Sequence, residues 1–364
     1  MITNPKDRVT TPQAAIAVAS YILGVGILSL PRGVSEKVNT PDGWIDVIIS
    51  GFLVMAMGYC IVKLSQRFPR KTFYEYCPEI IGKPIGYILN FIFIIHMLGI
   101  AAYVTRILAM VVHEFLLDET PIEVLVFTVM IVGLYLVVGG VNPMFRLFEF
   151  VFPFMTFVFF LIILLNVQNI ELHSLRPLLG KGIKPLLAGI EPTLYSYTGL
   201  GAMFVITSVM DRPKKAVKAM AIGVAIPMVY YVVLMVVSIG VLTVPELKTL
   251  TWPTLTLAKA IEFKGSFFER FESLFLVIWI AAIFTTFVSG HYYGSLGIAQ
   301  VLKKNPYWVY FFTLPIMYMI AMYPEGLNQV FMVGDYLGYS FLFVAGVVPV
   351  VLFGVAVIRG KGDG

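Results

Sequence analysis

Ser20-Tyr21-Ile22-Leu23-Gly24-Val25-Gly26-Ile27-Leu28-Ser29-Leu30-Pro31 lies within the first apolar run of the chain, and it has a counterpart farther on. Glu191-Pro192-Thr193-Leu194-Tyr195-Ser196-Tyr197-Thr198-Gly199-Leu200-Gly201-Ala202 repeats the Gly-x-Gly spacing behind a cluster of hydroxyl side chains. Glycine in a helix interior costs about 1 kcal/mol relative to alanine. It also lets the backbone open and approach a ligand. Small residues serve close helix packing equally well, so one such pair is weak evidence. Two pairs at corresponding positions of two halves are a stronger sign. Broken apolar helices are tolerated at membrane depth where their freed N–H and C=O groups line a cavity.

Working outward, the stretches free of Asp, Glu, Lys and Arg are 9–31, 47–62, 84–105, 124–145, 150–170, 192–210, 219–245, 273–302, 305–324 and 336–358. A spanning helix needs about 20 mostly apolar residues. These runs therefore predict ten transmembrane helices, the third continuing past Arg106 to about Leu117. Thr10-Thr11-Pro12 reads as a helix cap with proline in the first turn, Pro84 and Pro121 mark other starts, and Pro41-Asp42-Gly43 is a turn. The largest external loops are 166–187 and 245–270, and Thr251–Ile261 within the second predicts a short interfacial helix.

Lysine and arginine set the orientation. With the N-terminus inside, 16 of the 26 Lys and Arg fall on the cytoplasmic side, so both termini are expected there. The net charge of +5 then reflects topology, and the basic loops are no sign of nucleic-acid binding. With 59% hydrophobic and 13% charged residues, the chain has too few charges to clothe a soluble surface. The long first run behind a polar leader is not expected to be a cleaved signal. Cys60, inside an apolar run, and Cys77, in a basic loop, are not expected to bridge, and His96, His113, His173 and His291 lie too far apart for a metal motif. No catalytic constellation appears, so an enzyme is not expected, and nothing calls for a cofactor or metal.

Ionisable residues at membrane depth are functional candidates by default. His96 falls mid-helix three and is expected to make a plain hydrogen bond. Arg106 is expected to snorkel outward or to meet Glu191 or Asp335. Glu149 is placed to pair with Arg146 or a basic loop, and His291 lies near the inner end of helix eight.

Gly24-Val25-Gly26-Ile27-Leu28-Ser29-Leu30-Pro31 resembles the first-helix motif of the amino acid–polyamine–organocation transporter superfamily. Trp252-Pro253-Thr254 and the run Phe268–Trp279, with the overall length, resemble the spore germination receptor B-subunit family within it. That resemblance covers essentially the whole chain. It implies an all-α integral membrane protein with ten transmembrane helices in a 5+5 inverted repeat, the LeuT-like transporter fold, with helices 1 and 6 broken. Residues 1–364 would form a single polytopic domain, with the first five-helix repeat at 9–166 and the second at 188–358.

Family membership further implies a nutrient sensor in the spore inner membrane that binds a small germinant, an amino acid or sugar, beside receptor A and C subunits. An amino-acid permease coupled to protons or ions is the alternative. The ligand-binding residues implied are Gly24, Val25, Gly26 and Ile27 in helix one and Met97 and Ala101 in helix three. Helix six contributes Tyr195, Tyr197, Thr198, Gly199, Leu200 and Gly201, and helix eight Thr285, Thr286 and Ser289. The hydroxyls of helix eight could equally bond their own helix carbonyls. Two departures stand out. Gly201 occupies a position where many related permeases carry an acid, and residues 150–166 lack the lysine that proton-coupled relatives use in helix five.

Overall fold

The computed structural model describes residues 8–260 and 271–362. They form fourteen α-helices, with short 3-10 and π-helical pieces between some of them, and no β-strand occurs among the described residues. The helices are α1 (Thr11–Val38), α2 (Gly43–Gln66), α3 (Phe73–Ile81), α4 (Lys83–Phe115), α5 (Ile122–Val138), α6 (Val141–Asn166) and α7 (Lys184–Tyr195). The second half contains α8 (Met203–Val209), α9 (Ala216–Leu247), α10 (Pro253–Lys259), α11 (Phe271–Leu302), α12 (Pro306–Met322), α13 (Leu327–Phe341) and α14 (Val348–Ile358).

Six continuous stretches are long and apolar enough to cross a bilayer: α2, α4, α6, α9, α11 and α13 continued through a π-helical segment into α14. α1 is a seventh span, bent by 54° between its halves Thr11–Gly24 and Gly26–Val38. The shorter apolar helices α5 and α12, with the interrupted α7–α8 pair, complete ten crossings among the described residues. A large apolar surface faces outward, including Phe52, Phe91, Phe157 and Phe312, as lipid contact requires.

Local chemistry explains several boundaries. The Thr10 hydroxyl accepts the Gln13 N–H, the Gln13 side chain accepts the Thr10 N–H, and Pro12 sits in the first turn of α1. Gly139-Gly140, with Gly140 at φ 83°, ends the fourth span and starts the fifth at Val141. The expected run 124–145 therefore straddles two helices, because the absence of charge does not reveal a turn made by glycine backbone. Pro253–Lys259 forms a short helix within the expected Thr251–Ile261, mostly buried against the bundle, and Ile261 falls outside the described residues, as does Phe268–Arg270 of the second motif.

Cys77 is not in a loop. It is buried in α3, a helix opened by the Thr72–Glu75 capping box. Burial without a partner charge pushes its thiol up to about 12. Both cysteines are free.

α1 packs chiefly on α9, and α4 on α11. Near the start of α1, Val9 exchanges backbone hydrogen bonds with Val209 and Asp211 (3.0 and 2.9 Å), tying one end of the first broken span to one end of the second. Membrane-depth polar residues find specific partners. His96 Nδ1 lies 2.6 Å from Ser340 Oγ, joining α4 to α13. His291 Nε2 lies 3.0 Å from Thr313 Oγ1, joining α11 to α12. Arg106 donates to the Pro324 carbonyl at 2.9 Å rather than to Glu191 or Asp335. Glu149 accepts from Gln13 at 3.1 Å rather than from Arg146.

Candidate functional site

The two breaks meet. An added Cβ at Gly199 would stand 2.7 Å from the Ile22 nitrogen and 2.8 Å from the Tyr21 carbonyl carbon, so only glycine permits this approach of backbone to backbone. Thr198–Ala202 is a 3-10 segment between α7 and α8, which re-satisfies part of the interrupted helix locally. The Leu200 N–H bonds the Tyr197 carbonyl at 3.0 Å, and the Ser196 N–H bonds that of Thr193 at 3.1 Å.

The bend in α1 is satisfied differently, by side chains from three other helices. Tyr231 of α9 donates to the Ile22 carbonyl at 2.9 Å and approaches that of Ser196 at 3.3 Å, so one hydroxyl serves both breaks. Trp279 Nε1 donates to the Gly24 carbonyl at 3.1 Å. Thr254 Oγ1 donates to the Ile27 carbonyl at 2.5 Å. Thr286 Oγ1 lies 3.4 Å from the carbonyls of both Ser20 and Tyr21. An unpaired buried carbonyl costs about 1–3 kcal/mol, so these four donors hold the bend open.

Beside the breaks lies a cavity of about 520 Å³. Gly26, Ser196, Thr198 and Thr286 border it, with Ile100, Tyr103 and Val104 of α4 opposite and Tyr195 toward one end. At that end Arg32, Glu36, Lys37 and Asp335 supply charge. Arg32 Nε donates to Glu36 Oε1 at 2.8 Å, and its guanidinium lies 5.2 Å from the Phe331 ring centroid. The Tyr195 hydroxyl donates to Glu191 Oε1 at 2.7 Å. Hydroxyls, half-helix backbone and an apolar wall make a site for a small amphiphilic molecule.

Of the residues expected at the site, Gly26, Tyr195, Thr198 and Thr286 border the cavity. Gly24, Ile27, Gly199, Leu200 and Gly201 lie in the breaks but are buried in packing, and Val25 is in the bend between the halves of α1. Met97 Sδ accepts the Tyr21 hydroxyl at 3.3 Å, and Met97 Cε would lie 3.0 Å from a Cβ at Gly201. Ala101 packs against Gly290. Thr285 donates to the Ala282 carbonyl of its own helix at 2.6 Å, and Tyr197 and Ser289 are buried. The wall contributed by α4 is thus Ile100, Tyr103 and Val104, the next turn beyond Met97.

Sequence reasoning missed Tyr231, Ser196 and Tyr103. A tyrosine within an apolar span is a usable signal, because its hydroxyl needs a partner there.

Comparison with known proteins agrees with this geometry. The profile of the family described as "Spore germination protein" matches residues 8–330. Spore germination protein YndE of Bacillus subtilis (strain 168) is 40% identical over 360 residues, 99% of each chain. Spore germination protein A2 of the same strain is 34% identical over 354 residues, 97% of each chain. Spore germination protein GerLB of Bacillus cereus is 27% identical over 361 residues, 98% of this chain and 96% of its own.

Among solved structures, MhsT in complex with L-phenylalanine superposes with a TM-score of 0.74 at 11% identity, covering 98% of this chain and 91% of MhsT. Mhp1, a nucleobase-cation-symport-1 family transporter in a closed conformation with bromovinylhydantoin bound, gives 0.77 at 9% identity, covering 99% and 82%. These likenesses establish the inverted-repeat transporter fold for the described helices. With that fold, two breaks facing one cavity and whole-chain relatives, the chain is a member of the spore germination protein family.

Proposed function

We propose that this chain is the germinant-sensing B subunit of a spore germination receptor and binds a small molecule, an amino acid first among the candidates, in the cavity beside its two broken helices. The observation that carries the reading is the cavity bordered by Gly26 of one break and by Ser196 and Thr198 of the other. The half-helix that begins at Gly26, which borders the cavity, brings the positive end of its dipole there, and that suits a carboxylate. Thr286 and Ser196 offer hydroxyls, and Ile100 and Val104 an apolar wall for a side chain. That MhsT holds L-phenylalanine in the same fold supports an amino acid as the first probe.

The two five-helix repeats are taken as 9–166 and 188–358, with both termini cytoplasmic and the protein in the spore inner membrane. A ligand shifts a conformational equilibrium only by its difference in affinity for the two states. The moving parts are taken to be the two broken spans, and the response would pass to receptor A and C subunits.

Disrupting the gene and scoring germination on a nutrient panel, with a nutrient-independent trigger as control, tests the proposal. Loss of one nutrient response with the control intact is the expected outcome. The transporter fold favours a second reading, an amino-acid permease. Sustained uptake of that amino acid into vesicles containing this chain alone would decide for the permease.

A further inference from the structure

Apart from the cavity, the described residues include one buried carboxylate without a partner. Asp46 stands in the first turn of α2 and is fully buried, and neither carboxyl oxygen has a hydrogen-bond partner among the described residues. Its carboxyl lies against Gly189 of α7, where an added Cβ would stand 2.7 Å from Asp46 Cγ and overlap Oδ2. Only a residue without a side chain lets α7 close over this group. α7 is the first half of the second broken span, an element separated from α8 by the 3-10 segment.

Among the described residues, the surroundings offer no counter-charge. At the N-cap of its own helix the group facing Asp46 is Asp42, whose Oδ1 already accepts the Leu179 N–H at 2.8 Å. From α1 the facing side chain is Val38, while Glu36 and Lys37 line the cavity. On α7, Glu191 is bound to the Tyr195 hydroxyl. From α9, Met235 reaches Gly43, and Lys248 just beyond that helix bonds Asn39. Farther along α2 the neighbours are Met228 at Gly51, and Met220 and Leu200 at Gly58.

A metal ion is poorly served as well. Hard cations need several oxygen ligands. The nearby carbonyls are engaged: Gly189 O accepts from Thr193 Oγ1 at 2.7 Å and Ile190 O from Ser50 Oγ at 3.4 Å. An unpaired ionised carboxylate in such a site is very costly, and the group neutralises instead.

We propose that Asp46 is a proton-binding site, occupied while α7 lies against it and emptied when α7 withdraws. The linkage has one sign. The closed arrangement holds one proton more than the open one, so rising pH favours opening, by up to about tenfold in the open-to-closed ratio per pH unit. This site is separate from the cavity and does not depend on the identity of its ligand.

The test uses the full chain in nanodiscs with aspartate carboxyl carbons isotopically labelled. Infrared spectra between pH 5 and 9 report protonated aspartate, and Asp46→Asn identifies the band. In a Cys60→Ala, Cys77→Ala background, spin labels at Leu53→Cys and Leu187→Cys, both exposed positions, report the distance from α2 to α7. The expected result is a protonated Asp46 band at low pH that fades as a longer distance grows, with Asp46→Asn keeping the short distance throughout. An ionised Asp46 alongside the short distance would overturn the proposal, as would distances that do not change with pH. Replacing sodium by choline at fixed pH adds a further arm, in which a sodium-dependent change in band or distance would overturn the assignment to a proton. If Asp46→Asn does not fold, the labelled wild-type spectrum still decides, since the absence of any pH-dependent protonated aspartate overturns it.

Discussion

The two broken spans solve one physical problem in opposite ways. In the second span, between α7 and α8, the freed backbone groups are largely re-paired nearby, through the 3-10 turns around Tyr197–Ala202. In α1 the carbonyls of Ile22, Gly24 and Ile27 are met by Tyr231, Trp279 and Thr254, residues remote in sequence. The difference teaches that one break is a local property and the other a tertiary one. It also makes α1 the span whose geometry depends on α9, α10 and α11 staying in place.

The largest expected effect sits where the breaks touch. Gly199→Val places a side chain against the backbone of Tyr21 and Ile22, which cannot move aside as a flexible side chain can. Overpacking of this kind costs about 1–3 kcal/mol or more. Loss of folded protein, read by thermal unfolding in detergent, is the outcome; a variant as stable as the parent would break the picture of touching backbones.

Tyr231→Phe comes next, because it removes the one hydroxyl shared by both breaks. The expected loss is about 1–2 kcal/mol, within the range for a hydrogen bond between helices in a membrane. Trp279→Phe removes a single donor, to the Gly24 carbonyl, and should cost about 1 kcal/mol. Equal costs for the two would mean that the shared hydroxyl is no more than another single contact. Thr198→Val is nearly isosteric at the cavity edge, so it should weaken the nutrient response while changing the melting temperature little. The smallest effect is reserved for Arg32→Gln at the mouth. Its pair with Glu36 is partly exposed, and such pairs contribute about 0–1 kcal/mol, so stability should hold within that margin at low and high salt alike.

Particular residues mark how far the sequence could be read. Thr10-Thr11-Pro12 announced the start of α1, and the structure closes the capping box there. The two Gly-x-Gly stretches located both breaks, because the same spacing recurs at corresponding positions of the two halves. α3 is legible in Thr72 and Glu75, whose spacing is that of a capping box, although the basic residues around it suggest a loop. The boundary at Gly139-Gly140 was hidden within an uncharged run.

At the cavity, Gly26, Tyr195, Thr198 and Thr286 are among the residues the sequence points to, whereas α4 contributes Ile100 and Val104, displaced by a turn from Met97 and Ala101. The rotation of α4 about its axis depends on which neighbours it packs against, and the nearly uniform apolarity of a spanning helix leaves no face marked. Arg106 and Glu149 tell the same story, since their partners, Pro324 between α12 and α13 and Gln13 in α1, are distant in sequence.

By itself the sequence determined that this chain crosses a bilayer ten times, with its first and sixth spans interrupted. Long uncharged runs have no stable place in water, and paired glycines weaken a helix wherever they occur. Only the tertiary structure decided which hydroxyls face the cavity, which carbonyls of α1 are capped, and that Asp46 is enclosed by Gly189 without a partner. Those outcomes depend on the rotation and contact of helices within the bundle, and in an apolar surrounding the pattern along one helix says little about either.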